Sequence, residues 1–315
     1  MRRPMRKFQC VLRVTVFIAV SICTAFAGNR SGSVTGQFLK LPINARSVGM
    51  GNAQVALAEG AQSIAYNPAG ILSIPDVSFG ATYNQWWADI THSFIGGAIN
   101  LEDIGSIGLG VIMLSTDDMI VRTPAFPEGT GEKFKAFDIA YMASYARRIS
   151  EDFCIGINAK IIKSNLYNKE LSSNSFAFDI GTLYDVPVLR TRLGISLNNL
   201  GQDLTYISET YSLPTVLRFG ARISVFEEEE SKMFLAVQVG RPNDSDEQYN
   251  VGAEYIVFNS VSLRGGYRFN YDAENWSAGM GMDLRSLGLN GRLDYAFTNY
   301  KILPGTHMFS LELGI

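Results

Sequence analysis

The chain has 315 residues, 47% of them hydrophobic and 18% charged, against roughly 25% charged for an ordinary soluble domain. Its formal charge is −3, from 27 basic and 30 acidic residues, so no basic surface invites nucleic acid. Its 30 Gly, 19 Phe and 14 Tyr favour strands and tight turns over helices.

In chain order, the basic run "MRRPMRKFQ", the apolar "VTVFIAVSICTAFA" and Ala25-Phe26-Ala27 ahead of Gly28 read as a secretory signal over residues 1–27, cleaved after Ala27. Lipidation of Cys23 is disfavoured because Ile22 stands where a small residue is wanted. Loss of this signal removes Arg2, Arg3, Arg6, Lys7 and Arg13 and no acidic residue, leaving 22 basic against 30 acidic residues and a net charge of −8. Cys10 and Cys23 leave with it, and Cys154 alone cannot close a disulfide within one processed chain. No later segment is apolar over about 18 residues, so membrane residence requires strands.

Residues 28–75 form a small-residue segment ending in "YNPAGIL". Gly49 and Gly51 permit close backbone approach, and Val55-Ala56-Leu57-Ala58 suits a short helical turn. Asn67-Pro68 fixes a turn, because the residue before a proline is pushed out of helix.

From Val77 onward the pattern has period two. In "VSLRGGYRFN", Val261, Leu263, Tyr267 and Phe269 alternate with Ser262, Arg264, Arg268 and Asn270. Such alternation predicts strands with one apolar and one polar face. Candidate strands fall near 77–87, 90–101, 105–116, 135–149, 153–166, 174–186, 191–200, 214–226, 232–241, 247–258, 260–270, 274–286, 287–298 and 305–315. Most are long enough to cross a tilted hydrocarbon layer. A soluble β-sandwich shares the alternation. The connections favour the membrane: the long 117–134, 165–173 and 199–213 alternate with short turns, as in an outer-membrane barrel. The first connection, at Ala88 and Asp89, is short and breaks the order, and the junction near Arg285 to Leu287 is expected to be tight.

The predicted fold is therefore all-β: a transmembrane antiparallel barrel of about 14 strands over residues 76–315. Such a barrel is too wide for wall side chains to fill, so residues 28–75 are expected to form a lumen hatch. The polar face lines the lumen with Arg218, Arg222, Glu254, Arg264, Arg268, Asp283, Arg285, Arg292, Asp294 and Glu312; its arginines could guide an anionic substrate, and pairing with the hatch is the simpler account. Trp86, Trp87, Trp276, Tyr295 and Tyr300 suit interfacial girdles, and a surface cluster for a protein partner would look the same.

Catalysis has little support. His92 and His307 lie far apart, and neither H-E-x-x-H nor G-x-S-x-G occurs. "DSDE" at Asp244–Glu247 lacks the spaced ligands of a calcium loop and reads as solvated. No cofactor or metal is expected.

The run "ARSVGMGNAQVALAEGAQSIAYNPAGIL" resembles the opening signature of the PorV/PorQ family of outer-membrane proteins, itself similar to the FadL fatty-acid transporters. Gly49, Met50, Gly51, Ala53, Val55, Asn67, Pro68, Ala69 and Gly70 carry the resemblance. Glu59-Gly60 replaces an acidic pair, Tyr66 a frequent Trp, and Ile315 a terminal aromatic. The resemblance implies a hatch-plugged, non-enzymatic barrel in the outer membrane of a Gram-negative-type bacterium, in contact with its lipid. In the PorV/PorQ branch the implied partners are proteins of type IX secretion or surface cargo. In the FadL branch the implied ligand is a hydrophobic small molecule such as a fatty acid. The signature does not separate the two.

Overall fold

The computed structural model describes residues 34–285 and 288–315, so the signal expected over residues 1–27 and the first residues of the hatch segment lie outside it. Fourteen strands close into one antiparallel barrel. The first seven are β1 (Val77–Gln85), β2 (Thr91–Asn100), β3 (Ser106–Ser115), β4 (Phe137–Ser150), β5 (Phe153–Asn165), β6 (Ser172–Val186) and β7 (Thr191–Gly201). The remainder are β8 (Val216–Glu227), β9 (Ser231–Pro242), β10 (Gln248–Val257), β11 (Val261–Phe269), β12 (Glu274–Asp283), β13 (Gly291–Tyr300) and β14 (Thr306–Gly314).

Closure joins β1 to β14, with Cα partners running from Ser78↔Gly314 to Gln85↔His307. Val77 and Ile315 also exchange backbone hydrogen bonds at 3.4 and 2.9 Å. The two ends of the barrel thus share one rim, and the barrel sheet itself has no open edge. That rim carries the turns 101–105, 151–152, 187–190, 228–230, 258–260 and 284–290. The opposite rim carries 116–136 and 202–215, each with a small hairpin of its own: Met119–Ile120 with Lys133–Phe134, and Leu204–Tyr206 with Glu209–Tyr211.

One junction differs from expectation. β12 ends at Asp283 and β13 begins at Gly291, not near residue 287. Leu284 is buried, the Leu289 amide donates to its carbonyl at 3.2 Å, and Gly288 takes φ 78°.

The side chains sort by parity. Val261, Leu263, Tyr267 and Phe269 of β11 face outward, whereas Ser262, Arg264 and Arg268 are buried inside. Phe79, Ile95, Leu109, Phe178, Met280 and Phe309 continue the outer apolar surface around the barrel. A soluble monomer rarely exposes so large a contiguous apolar area, whereas lipid covers it, and the barrel is membrane-spanning.

Candidate functional site

Residues 34–76 thread the lumen. Their one α-helical turn, α1 (Ala45–Gly49), is capped by Asn44, whose side chain accepts from the Ser47 amide at 3.2 Å. A single turn is not stable alone, and the wall holds it. Ala45 and Val48 pack on Ala296 and Met308. Ser277 Oγ donates to the Val48 carbonyl at 2.6 Å and accepts from the Gly51 amide at 3.2 Å.

The helix presents Arg46 to the wall. Its Nη2 lies 2.7 Å from Glu254 Oε2, its Nε 3.0 Å from Glu254 Oε1, and its Nη1 2.7 Å from Glu59 Oε2. Glu254, 1% exposed, also accepts from Arg264 Nε at 2.7 Å. Arg264 Nη1 reaches Asp294 Oδ1 at 2.7 Å, and Arg292 Nε reaches Asp294 Oδ2 at 2.6 Å. At the other end Glu59 Oε1 accepts from Arg222 Nη1 at 2.7 Å. Burial pushes the Glu59 carboxyl up, but Arg46, Arg222 and Arg192 outweigh it and hold it at about 2. Buried ions are costly unless paired and hydrogen-bonded, and this chain of alternating charges supplies both across hatch and wall.

The Asn-Pro turn is a second tie. Asn67 caps the 3₁₀ turn Pro68–Ser73 by accepting from the Ala69 amide at 3.3 Å. Its Nδ2 donates to the Val55 carbonyl at 2.9 Å and to the Thr182 carbonyl of β6 at 3.1 Å. One side chain therefore joins two parts of the hatch to the barrel. Opposite it the wall carries Gly181 and Gly156, where an added Cβ would collide with Asn67 Oδ1 and the Ala69 amide respectively. Gly252 and Gly266 likewise make room for Met50 and Gly51, and Gly51 itself adopts φ 66° in the turn after α1. Glu312 of β14 accepts from the Ala61 amide at 2.6 Å and from Ser78 Oγ.

On the long-loop side of α1 lies a cavity of about 530 Å³. Val48 and Asn52 of the hatch, Arg218, Gln238 and Arg268 of the wall, and Trp86, Trp87 and Tyr300 near the rim are among the residues lining it.

Residues 26–242 match the family described as "Type IX secretion system protein PorV". The chain belongs to that family. No curated protein matches it. Among solved structures it is similar to the Pseudomonas putida toluene transporter TodX, at 11% identity and TM-score 0.61 over 86% of this chain and 97% of that one. It is also similar to the CymD monoaromatic hydrocarbon channel, at 15% identity and TM-score 0.59 over 87% and 97%. A third is the Ralstonia pickettii toluene transporter TbuX, at 11% identity and TM-score 0.55 over 87% and 98%. At these identities the likeness is one of fold.

Within this PorV-family barrel, Glu254, Arg264, Arg292 and Asp294 come together on Arg46, and Arg222 joins them through Glu59. Arg218 and Arg268 lie apart from them, in the cavity. Asp283 and Arg285 pair with each other at 2.8 Å beside the 284–290 turn, and Arg285 is exposed there, not lumenal. Gly49 and Gly51 flank the end of α1, and Gly70 packs on Ala58 and Ser63. His92 is buried on the inner face, whereas His307 points outward to Tyr295 Oη at 2.8 Å, so the two histidines do not meet.

Two further expectations need correction. Val55–Ala58 contains a turn and no helix; the helix forms earlier, where Asn44 supplies its cap. Trp86, Trp87 and Tyr300 are not a lipid girdle. They cluster edge to face with centroids 4.7–6.3 Å apart at the cavity, because β1 ends at Gln85 and Tyr300 has inner parity.

Sequence reasoning missed Arg46 as the centre of the ionic chain. It also missed the buried pair Lys160–Asp179, at 2.8 Å. The alternation held a signal for that pair: Lys160 shares parity with the buried Asn158 and Ser164, and Asp179 with Ser175 and Ala177.

Proposed function

We propose that this protein is a non-enzymatic outer-membrane component of type IX protein secretion or surface-protein handling. The observation that carries the reading is the PorV match over residues 26–242. The anchoring of the hatch supports it. Arg46, Glu59 and Asn67 tie the plug to β6, β8 and β10, and undoing one buried ion pair alone costs about 3–5 kcal/mol. A plug held so firmly suits a barrel that works through its surface, where 116–136 is largely exposed and 202–215 folds Leu204, Tyr206 and Leu213 onto the hatch residues Phe38 and Leu39. The test is deletion of the gene, followed by surface proteomics of intact cells. The reading expects loss of displayed cargo; unchanged display defeats it.

A second reading, passage of hydrophobic small molecules, draws on the cavity above the hatch and on the channel fold. Uptake of labelled toluene or of a labelled fatty acid by cells making the barrel, compared with empty-vector cells, decides it. Equal uptake rejects it.

A further inference from the structure

We propose that the cavity on the long-loop side of the hatch binds a small organic anion, a carboxylate carried on an aromatic or apolar body, with Arg218 and Arg268 as the anion-binding residues. The proposal does not depend on the secretion reading.

The lumen arginines divide into two groups. Arg46, Arg192, Arg222, Arg264 and Arg292 each pair with a carboxylate. Arg218 and Arg268 make no direct ion pair among the described residues, although Asp179, held by Lys160 at 2.8 Å, lies near enough to Arg218 to act on its charge. Yet Arg268 is 5% exposed and Arg218 8%. Arg268 Nε and Nη2 make no hydrogen bond, and Arg218 has Nη1 on the Asn198 Oδ1 at 2.8 Å. A guanidinium out of water without a counter-ion is strongly unfavourable. Both residues line one cavity, and their under-compensated charge favours an anion there.

The register sets their spacing. Arg218 of β8 is opposite Gly240 of β9, and Arg268 of β11 is opposite Asn250 of β10. Three strand intervals put their backbones roughly 14 Å apart along the wall, and both side chains line the same cavity. Between them Gly240 contributes no side chain, and an added Cβ there would meet nothing closer than 3.9 Å. Trp86, Trp87, Tyr300 and Leu303 supply apolar lining, suited to the body of the ligand. A volume of about 530 Å³ admits a small molecule. A neutral hydrocarbon would fill the space and leave both arginines dry and unpaired.

The carboxylates of the cavity do not replace the ligand. Asp244 is engaged by Lys40 at 2.8 Å. Asp246 and Asp272 are exposed, and Glu274 is half-buried at the rim. These acids repel a polyanion, so a monocarboxylate is the better fit.

The test uses the full processed chain in detergent micelles, with benzoate as the probe, benzyl alcohol as its neutral counterpart and inorganic phosphate as an anion without a body. Binding is read by calorimetry and by quenching of tryptophan fluorescence. Benzoate should bind saturably, with benzyl alcohol and phosphate each at least about tenfold weaker, as expected for a charge-assisted contact joined to apolar burial. Arg268→Gln and Arg218→Gln should each weaken benzoate about tenfold, Arg268→Lys less, and the rim variant Arg147→Gln not at all. Equal binding of benzoate and benzyl alcohol by the unaltered protein overturns the proposal without recourse to any variant. So does full benzoate affinity in a folded Arg268→Gln protein, or no saturable benzoate binding up to about 10 mM.

Discussion

Arg46→Met keeps most of the side chain's length and removes its charge, and its effect can be estimated from the contacts it breaks. Glu254, 1% exposed, loses the Nε and Nη2 donors of Arg46 but keeps Arg264. Glu59 loses Nη1 but keeps Arg222, and its 31% exposure makes that loss small. Breaking a buried pair from one side costs 3–5 kcal/mol, and the retained Arg264 places this case near the lower end, at about 3 kcal/mol. The barrel strands do not depend on Arg46, so the loss should appear as local opening of the hatch. At 1.4 kcal/mol per tenfold, amide exchange over residues 45–58 should quicken about 100-fold while β10 and β11 stay protected. Hydrogen exchange read by mass spectrometry on the barrel in micelles measures both regions at once. Hatch exchange within about threefold of the unaltered protein, or hatch and strands accelerating together, would refute the reasoning.

Adjacent glycines on opposite faces of β11 give a sharper contrast. Gly266→Ala drives a Cβ into the Gly51 backbone, whereas Gly265→Ala meets nothing within 4 Å. The first should lower stability to urea by about 1–3 kcal/mol and the second should leave it within about 0.5 kcal/mol. Asn67→Ala removes a cap and strands the Val55 and Thr182 carbonyls, at a cost of about 2 kcal/mol, seen as protease cleavage within residues 55–75. The Glu59 carboxyl, held at about 2 against an ordinary 4.5, contributes its anchoring fully above about pH 4.5 and loses it as the pH falls towards 2. Hatch exchange should therefore rise through that window, corrected for the intrinsic rate, and Glu59→Gln should flatten the response.

The barrel was legible because period two is a local property. Each strand states which side is lipid without reference to its neighbours, as "VSLRGGYRFN" does, and the loop lengths add which rim is which. The Asn67-Pro68 turn was legible for the same reason. What the alternation could not state was partnership. Parity places Glu254 and Arg264 inside, but only the closed barrel shows that Arg46, some 200 residues earlier in the chain, stands between Glu254 and Glu59. Parity likewise grouped Arg218 and Arg268 with the other lumen arginines, although the structure gives these two no direct ion pair among the described residues. Arg285 and the Trp86-Trp87 pair were misplaced because both sit where a strand ends, and face is no longer set by the pleat.

The account rests on the outer face meeting hydrocarbon while the inner face encloses the hatch. Single cysteines at Leu263, Met280, Leu293 and the loop residue Phe126, in a Cys154→Ser background, test this most directly in lipid vesicles. The three strand positions should resist a water-soluble maleimide, and bimane placed there from a membrane-permeant reagent should be quenched by brominated acyl chains, with the reverse at Phe126. Strand positions that label from water as fast as Phe126 would contradict it.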